Sequence, residues 1–254
     1  DYRKNDKCPP WSIQATQMSH DQEKKTVYYE NAVIKIYDIP VFYTPKFSHP
    51  DPSVDRRTGF LPPAFTNSKN LGGGFAIPYY WDLNKDKDFT LTSKLFNKEN
   101  PLFLGEYRQA FKESDLILDF GYTQGYKNTD TKKLPGSKSH FFSNFTRNFK
   151  GKNNSDNNFE ITAQKVSNDK YLKLYKVDSS LANHQADTLE NSISFTHTNE
   201  DLFFGAEASM FETLKEKQSD KFEYILPDIT IDKNLFNNEF GVADARSNLK
   251  VHNF

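Results

Sequence analysis

Cysteine is nearly absent from this chain, and its absence excludes several kinds of site. The 254 residues contain one cysteine, Cys8, together with six histidines scattered along the sequence. A single cysteine cannot form an internal disulfide, and the histidines alone lack the ligand spacing of zinc sites. The sequence therefore predicts no metal site.

Net charge and long apolar runs are also lacking. The 33 Lys+Arg balance 34 Asp+Glu, so no basic surplus favours a nucleic-acid partner. Mean hydropathy is -0.79 and no run of about 18 apolar residues occurs, which excludes a membrane-spanning helix but leaves a membrane β-barrel open. No secretory leader pattern follows Asp1, so we expect any signal peptide to lie upstream or to have been removed.

Common short motifs of catalytic and nucleotide-binding sites are missing as well. Neither Gly-x-Ser-x-Gly nor His-Glu-x-x-His occurs, and the glycines after Leu71 are not followed by the Gly-Lys-Ser/Thr of a phosphate loop. We therefore expect a protein that is not an enzyme and carries no cofactor.

Aromatic residues are abundant, with 23 Phe and 13 Tyr, and period two dominates the pattern. The first apolar alternations predict short strands of a β domain with an apolar interior. Their apolar positions are Trp11, Ile13, Ala15, Ala32, Ile34 and Ile36.

Prolines crowd the stretch from Pro40 to Pro52, where they remove ladder donors and predict a break in the strands. We place a domain boundary within residues 44 to 57, which gives domains of residues 1–45 and 46–254. Beyond it, Phe75 to Leu83 alternates apolar and polar side chains, as suits lipid on one side and water on the other. Further strands are expected near 87–97, 101–112, 115–126, 140–150, 158–167, 170–177, 189–198 and 201–213, as an up-and-down antiparallel meander.

Five short motifs occur in an order and spacing that resemble the LPS-assembly protein LptD family. The resemblance covers residues 8 to 126, and the second half of the chain adds only alternation. The motifs are Cys8 with Trp11-Ser12-Ile13, Ile39-Pro40-Val41-Phe42-Tyr43-Thr44-Pro45, Arg56-Arg57-Thr58-Gly59-Phe60-Leu61, Pro78-Tyr79-Tyr80-Trp81 and Glu106-Tyr107-Arg108.

This resemblance implies an all-β internal fragment located at the outer membrane. Residues 1–45 would be the end of a periplasmic β-jellyroll that receives lipid, and residues 46–254 about the first ten strands of a large barrel. The implied partners are lipopolysaccharide, a periplasmic bridge protein of LptA type, a lipoprotein of LptE type inside the barrel, and outer-membrane lipids. The implied activity is lipopolysaccharide transport to the outer leaflet.

Candidate site residues follow from the lipid-receiving domain and the barrel that the resemblance implies. The six apolar positions listed for the first strands, Trp11 to Ile36, would line an acyl-chain path, although an ordinary sandwich core explains them as well. Arg56 and Arg57 would meet lipid phosphates, or would be solvated anchors at the interface.

Three prolines are candidates for a lateral gate, because a strand residue without an N–H weakens the ladder. By resemblance, prolines at matching places flank the seam that releases lipid, and the matching positions here are Pro63 and Pro78. The doubled Pro62-Pro63 leaves two candidates on the first strand, and prolines that only end strands are the alternative.

Cys8 has two readings. The resemblance implies a disulfide with a cysteine in the far C-terminal part of the barrel, whereas the residues alone allow a free thiol.

Two rival functions share the β pattern. A passive outer-membrane porin or receptor barrel would show the same alternation and the same loops. A soluble β-sandwich that binds or cleaves glycans would show the same low mean hydropathy.

Overall fold

The computed structural model describes residues 11–36, 38–51, 53–54, 56–125, 136–215, 220–239 and 241–253. The chain divides into two compact units, residues 1–57 and 58–254. Both units are built from antiparallel strands, so the predicted all-β class is confirmed. Among the described residues no helix is long and apolar enough to cross a membrane.

Unit 1 is a small sheet of four strands. The strands are β1 (Trp11–Gln14), β2 (Gln17–Asp21), β3 (Thr26–Ile36) and β4 (Ile39–Pro50). The long strand β3 is rich in β-branched and aromatic residues, which favour pleated structure. It pairs with β1 and β2 along one edge and with β4 along the other.

The expected break at the prolines is wrong, because Ile39–Pro50 forms one strand. In the described part of the chain β4 pairs only with β3, and an edge strand tolerates residues without an N–H. A register shift between Ile34 and Lys35 further accommodates Pro40 opposite Lys35. The strand continues across residues 45 and 46, and the two compact units divide between Arg57 and Thr58.

Unit 2 is one antiparallel sheet in which each strand pairs with the next in sequence, as the predicted meander requires. Its first strand is interrupted, and both pieces, β5 and β6, pair with β7. The strands are β5 (Gly59–Phe60), β6 (Ala64–Ser68), β7 (Gly72–Asn84), β8 (Lys87–Phe96), β9 (Leu102–Ala110), β10 (Ser114–Thr123), β11 (Lys138–Lys150), β12 (Asp156–Val166), β13 (Thr188–Thr198), β14 (Leu202–Thr213), β15 (Phe222–Asn238) and β16 (Gly241–Asn253).

The connections of unit 2 differ between the two ends of the sheet. At one end they are short: 85–86, 111–113, 151–155, 199–201 and 239–240. At the other end most are longer: 69–71, 97–101, 124–137, 167–187 and 214–221. We call these the short-turn end and the long-loop end.

Two parts of unit 2 depart from the predicted strands. Residues 170–177 were expected to form a strand but contain the helix α1 (Tyr171–Tyr175). This helix lies in the connection 167–187, which we call the insert. The predicted strand list also stops at 213, whereas β15 and β16 extend the sheet to Asn253. Pro227 interrupts the alternation of β15, and β16 is largely polar, so period two is weak in both.

Candidate functional site

Register gives the sheet of unit 2 two chemically different faces. Tyr79, Leu91, Gly105, Phe120 and Phe141 are successive cross-strand partners, so they share one face, which we call the apolar face. It also carries Phe75, Ile77 and Trp81 of β7, Phe89 and Leu95 of β8, Phe103 and Tyr107 of β9, Leu116, Leu118 and Tyr122 of β10, Phe145 of β11, Phe159 and Ile161 of β12, and Ile193 and Phe195 of β13. The predicted alternation in β7 is therefore observed.

The described residues of unit 2 leave the apolar face uncovered. Phe103 is 45% exposed, Phe141 is 49% exposed and Ile193 is 47% exposed. Soluble monomers rarely expose a contiguous apolar surface of this kind, which instead marks contact with a membrane or a partner. Aromatic contacts on this face concentrate toward the short-turn end, where Tyr79 and Trp81 lie 4.4 Å apart and Trp81 stacks on Phe89 at 5.5 Å.

The opposite face, which we call the polar face, is cross-linked by hydrogen bonds between neighbouring strands. The Nε of Arg108 donates to Asp88 over 2.9 Å, and its second donor reaches the other carboxylate oxygen at 3.2 Å. The hydroxyl of Tyr80 donates to the same carboxylate over 3.3 Å. The amide of Asn144 donates to Glu160 over 2.7 Å. Such pairs fix the register and give this face a hydrophilic surface.

The insert packs on the polar face near the long-loop end. Tyr171, Leu172 and Tyr175 of α1 are fully buried against Leu102 and Phe142 of the sheet. Burying side chains of this size contributes about 1.5–3 kcal/mol each. The insert is therefore an ordered part of unit 2, and its helix has an apolar underside.

A buried polar group lies beneath the insert. Asp119 of β10 accepts from His140 Nε2 of β11 over 3.0 Å, and the other oxygen of Asp119 accepts from the Ser179 hydroxyl. His140 Nδ1 lies 3.1 Å from the Tyr171 hydroxyl. Burial, with the nearby negative charge of Asp119, raises the pKa of Tyr171, so its hydroxyl keeps its proton and can donate to Nδ1. This group joins two strands to the insert.

Two neighbouring strands also hold the insert. The Lys94 ammonium of β8 donates to the backbone carbonyl of Lys176 over 2.9 Å. Glu106 of β9 accepts from the Ser180 hydroxyl over 2.6 Å. The strands β8, β9, β10 and β11 thus each contribute a polar group to the insert.

The three candidate gate prolines lie close together, where the interrupted first strand meets β7. Pro62 and Pro63 were expected on the first strand, but they lie in the gap between β5 and β6. Pro78 lies in β7, where its carbonyl oxygen accepts from the Leu61 amide over 3.0 Å. Phe60 pairs with Tyr79 and Ala64 pairs with Ala76. Between these two pairs the first strand has one residue more than β7. The two prolines therefore lie in a bulge beside Pro78.

The candidate acyl-chain positions lie together in unit 1. Trp11 pairs with Ile36 and Ile13 pairs with Ile34, so these positions share a face of the β1–β3 ladder. Ala32 is fully buried, whereas Ile13, Ala15 and Ile34 are partly buried. A groove lining and a small core both fit these positions, and their role in lipid transfer stays a prediction.

The remaining candidate residues are Arg56, Arg57 and Cys8. The Arg57 guanidinium donates to the hydroxyl of Thr26, a buried residue of β3, so part of its donor capacity stabilises unit 1. Arg56 also has a partner within the chain. Their contact with lipid phosphate stays a prediction, and Cys8 lies outside the described residues. In the part of the chain that the structure describes, no His, Cys, Asp and Glu side chains group to hold a metal ion.

Sequence reasoning missed Asp119, His140 and the insert that covers them. Asp119 and His140 are distant in sequence and come together only through the β10–β11 register, which pairs Gly121 with His140. A usable signal was the lysine spacing of three residues at Lys170, Lys173 and Lys176 beside buried Tyr171 and Leu172. That spacing is typical of an amphipathic helix rather than a strand.

Comparison with known proteins gives a consistent set of relatives. No family model matches the chain. An LPS-assembly protein LptD of Legionella pneumophila (strain Paris) is 28% identical over 220 residues, which cover 82% of this chain and 26% of that protein. The LptD of Francisella tularensis subsp. novicida is 31% identical over 158 residues, covering 59% of this chain and 17% of that protein. The LptD of Methylococcus capsulatus is 36% identical over 117 residues, covering 44% of this chain and 11% of that protein.

Solved structures give weaker similarity. OccAB2 of Acinetobacter baumannii aligns with a TM-score of 0.34 at 7% identity, over 92% of this chain and 60% of that chain. OpdK of Pseudomonas aeruginosa aligns with a TM-score of 0.35 at 8% identity, over 97% of this chain and 62% of that chain. The chain spans about a quarter of the length of the Legionella relatives that it matches. Over most of its length it is similar in sequence to a segment of the LPS-assembly protein LptD, as its motifs predicted.

Proposed function

We propose that this chain is a segment of a lipopolysaccharide-assembly protein of the LptD type, and that it moves lipid rather than catalysing a reaction. Unit 1 would be the end of a periplasmic jellyroll that hands over the acyl chains. Unit 2 would be the first part of an outer-membrane barrel with the apolar face toward lipid and the polar face toward a water-filled lumen.

The two-faced sheet of unit 2 is the observation that carries this proposal. Exposed aromatic and aliphatic side chains on one face suit hydrocarbon, and hydrogen-bonded charges on the other suit water. A β-sandwich would bury one face of each sheet against another sheet, so the exposed apolar face disfavours the glycan-binding alternative.

The alternation of connection length supports the same proposal. Outer-membrane barrels have short periplasmic turns and longer extracellular loops. Unit 2 has short turns at one end and most of its longer connections, including the insert, at the other. The short-turn end would therefore face the periplasm, and Tyr79, Trp81 and Phe89 would belong to an aromatic girdle.

The gate is assigned to the interrupted first strand. In an antiparallel ladder a residue directs its N–H and its C=O to the same neighbour. The Pro78 carbonyl points to Leu61, so the N–H that Pro78 lacks would also have pointed to the first strand. Pro78 therefore weakens the pairing of β7 with β5 and β6 and leaves the pairing with β8 intact, while Pro62 and Pro63 add a bulge. A loosely held first strand suits a seam that opens sideways.

The partners of the complete protein follow from the sequence relatives, which are named LPS-assembly proteins. We propose lipopolysaccharide as the cargo, an LptA-type bridge protein as its donor, and an LptE-type lipoprotein inside the barrel. Arg56 and Arg57 are proposed to meet the lipid phosphates. The location would be the outer membrane, with the first domain in the periplasm.

Photo-crosslinking in the complete protein tests the conduit. A photoreactive residue replaces Ile34, which lies on the face shared with Ile13, and lipopolysaccharide capture is measured in living cells. Val33, the next residue along β3, points to the opposite face and is the matched control. We expect capture at Ile34, little at Val33, and loss of capture when the export bridge is inactive.

The other outcomes separate the rivals. Normal membrane insertion without capture at Ile34 would favour a passive barrel. Recovery of a folded protein without detergent would contradict the barrel itself. Equal capture at Ile34 and Val33 would mean contact without a defined groove.

A further inference from the structure

The carboxylate of Asp119 is enclosed between the sheet and the insert. Asp119 is 2% exposed, the side chain of His140 is 0% exposed and Tyr171 is 0% exposed. We propose that Asp119 is the positioning residue that seats the insert on the polar face, and that the seated insert closes this part of the lumen to solutes. The closure of the lumen rests on the proposed function, whereas the seating of the insert by Asp119 does not.

The two carboxylate oxygens of Asp119 accept separate hydrogen bonds. One oxygen accepts from His140 Nε2 over 3.0 Å, which orients the imidazole toward the Tyr171 hydroxyl at 3.1 Å. The other oxygen accepts directly from the Ser179 hydroxyl. Asp119 therefore holds the insert at two points, Tyr171 in α1 and Ser179 eight residues later.

Because Asp119 is buried, its carboxylate is fully hydrogen-bonded only when the insert is in place. A buried carboxylate is tolerated only when its oxygens accept hydrogen bonds, and charge-assisted bonds are stronger than neutral ones. Ser179 supplies its bond only while the insert is seated, because Ser179 belongs to the insert. The His140 bond lies within the sheet, and the insert holds that imidazole in place through the Tyr171 hydroxyl. Asparagine at position 119 would keep the shape but remove the charge and one acceptor.

The neighbouring strand positions make room for this arrangement. A Cβ on Gly121 would lie 2.7 Å from the Tyr171 hydroxyl oxygen and 2.6 Å from His140 Cε1. Glycine at position 121 therefore leaves room for the Tyr171 hydroxyl and the His140 ring. The remaining contacts, Lys94 with Lys176 and Glu106 with Ser180, extend the same attachment across β8 and β9.

Seating also forms an apolar layer over the polar face. Tyr171, Leu172 and Tyr175 pack against Leu102 and Phe142, and each of the five is at most 2% exposed. Water and dissolved solutes are excluded where these side chains meet. In a barrel this layer would close part of the lumen at the long-loop end.

Thiol accessibility tests the seating in the complete protein in intact cells. Leu172→Cys places a thiol under the insert, and labelling by a membrane-impermeant maleimide is measured with and without Asp119→Asn. We expect Asp119→Asn to speed labelling at least about tenfold, as for loss of one charge-assisted hydrogen bond. Protein lacking the introduced cysteine gives the background from Cys8.

Asp115→Asn is the matched control for this experiment. Asp115 lies on the same strand and, four residues away, on the same face, but it is exposed and outside the insert contacts. It should leave labelling unchanged. Equal labelling in the Asp119→Asn and Asp115→Asn proteins would overturn the role of Asp119.

A second pair of variants keeps the test decisive if Asp119→Asn does not fold. Tyr171→Phe and Ser179→Ala each remove one hydroxyl from the insert and leave the sheet unchanged. Together they should reproduce faster labelling of the thiol introduced by Leu172→Cys. Labelling as slow as in the parent protein would overturn the proposal.

Conductance in planar bilayers separates this inference from the proposed function. If the seated insert closes the lumen, Asp119→Asn should raise the unit conductance of the reconstituted protein and Asp115→Asn should not. Faster labelling with unchanged conductance would retain the positioning role and reject closure. If lipid capture at Ile34 fails while both readouts change, the proposed function fails and the present inference stands.

Discussion

The amide of Leu61 donates to the carbonyl oxygen of Pro78 over 3.0 Å, but Pro78 has no N–H to donate to Leu61 in return. In an antiparallel ladder such a pair normally exchanges two hydrogen bonds. The first strand of unit 2 is therefore held by half of the usual bonding at this position, next to the bulge of Pro62 and Pro63.

Replacing Pro78 with alanine should strengthen this pairing. The new amide points to the Leu61 carbonyl, and one added hydrogen bond is worth about 0.5–1.5 kcal/mol. We expect slower amide exchange for residues 59–61 of the complete protein and, under the proposed function, slower arrival of lipopolysaccharide at the surface.

Pro63→Ala is the control, because Pro63 lies in the bulge and has no register partner on β7 in the described ladder. It should change exchange in β5 much less than Pro78→Ala does. Equal protection by both substitutions would assign the weakness to the bulge instead of to the missing donor.

Two glycines on neighbouring strands provide a paired steric test. Gly121→Ala should push Tyr171 and His140 away, since its Cβ would meet both within 2.7 Å. Gly105→Ala should instead push the ring of Phe120 on the apolar face, 2.5 Å from the new Cβ. Overpacking of this kind typically costs about 1–3 kcal/mol.

Thermal unfolding and maleimide labelling in the Leu172→Cys background would read the two glycine variants together. We expect both alanines to lower the Tm, but only Gly121→Ala to expose the introduced thiol. Exposure of that thiol by Gly105→Ala would mean that the insert responds to general loosening of the sheet.

The strands of unit 2 were largely predictable from the sequence, and the reason is physical. A sheet with one apolar and one polar face imposes period two, as Phe75 to Leu83 shows. Pro40 and Pro45 misled the prediction in unit 1, because the sequence does not reveal that β4 is an edge strand.

The candidate site was less predictable than the strands. The direction of the missing N–H at Pro78 depends on register, which a one-residue slip would reverse. The contact of Asp119 with Ser179 joins residues 60 positions apart, through an insert whose apolar residues had indicated a strand. Polar groups that meet through long-range packing leave no local pattern.

Acid should loosen the insert only at low pH. Burial raises the pKa of Asp178, but the His184 amide and imidazole, with Lys94, outweigh it and lower the pKa overall. Lys173, and then Lys215, lower the pKa of Asp187. Both carboxyls bind protons less readily when folded, so their stabilisation is complete above the unfolded value of 3.8 and is lost as pH falls through the folded values.

Amide exchange of residues 171–187, corrected for the intrinsic rate, would measure this dependence. We expect protection to be constant from neutral pH to about pH 4 and to fall below it. Asp178→Asn combined with Asp187→Asn should make that fall smaller. A main loss of protection between pH 5 and 8 would point to histidine instead.

A charge on the apolar face distinguishes a membrane sheet from a soluble one. Ile193 is 47% exposed and pairs with Ile161 and Ala208 on that face. In water, Ile193→Lys would be nearly neutral, because an exposed side chain loses little contact. At the middle of a bilayer the same lysine costs about 2–4 kcal/mol. Under the proposed function we therefore expect Ile193→Lys to reduce membrane insertion of the complete protein.

Ser194→Lys is the matched substitution on the polar face. Ser194 is the next residue of β13 and pairs with Glu160 and Glu207, so a lysine there gains acidic neighbours and, under the proposed function, would face the lumen. Heat-modifiable mobility and outer-membrane yield would be compared for both variants. Loss of yield for Ile193→Lys with normal yield for Ser194→Lys would assign the apolar face to lipid. Normal yield for both would mean that this face is covered by protein or water, and the barrel orientation proposed for unit 2 would have to be abandoned.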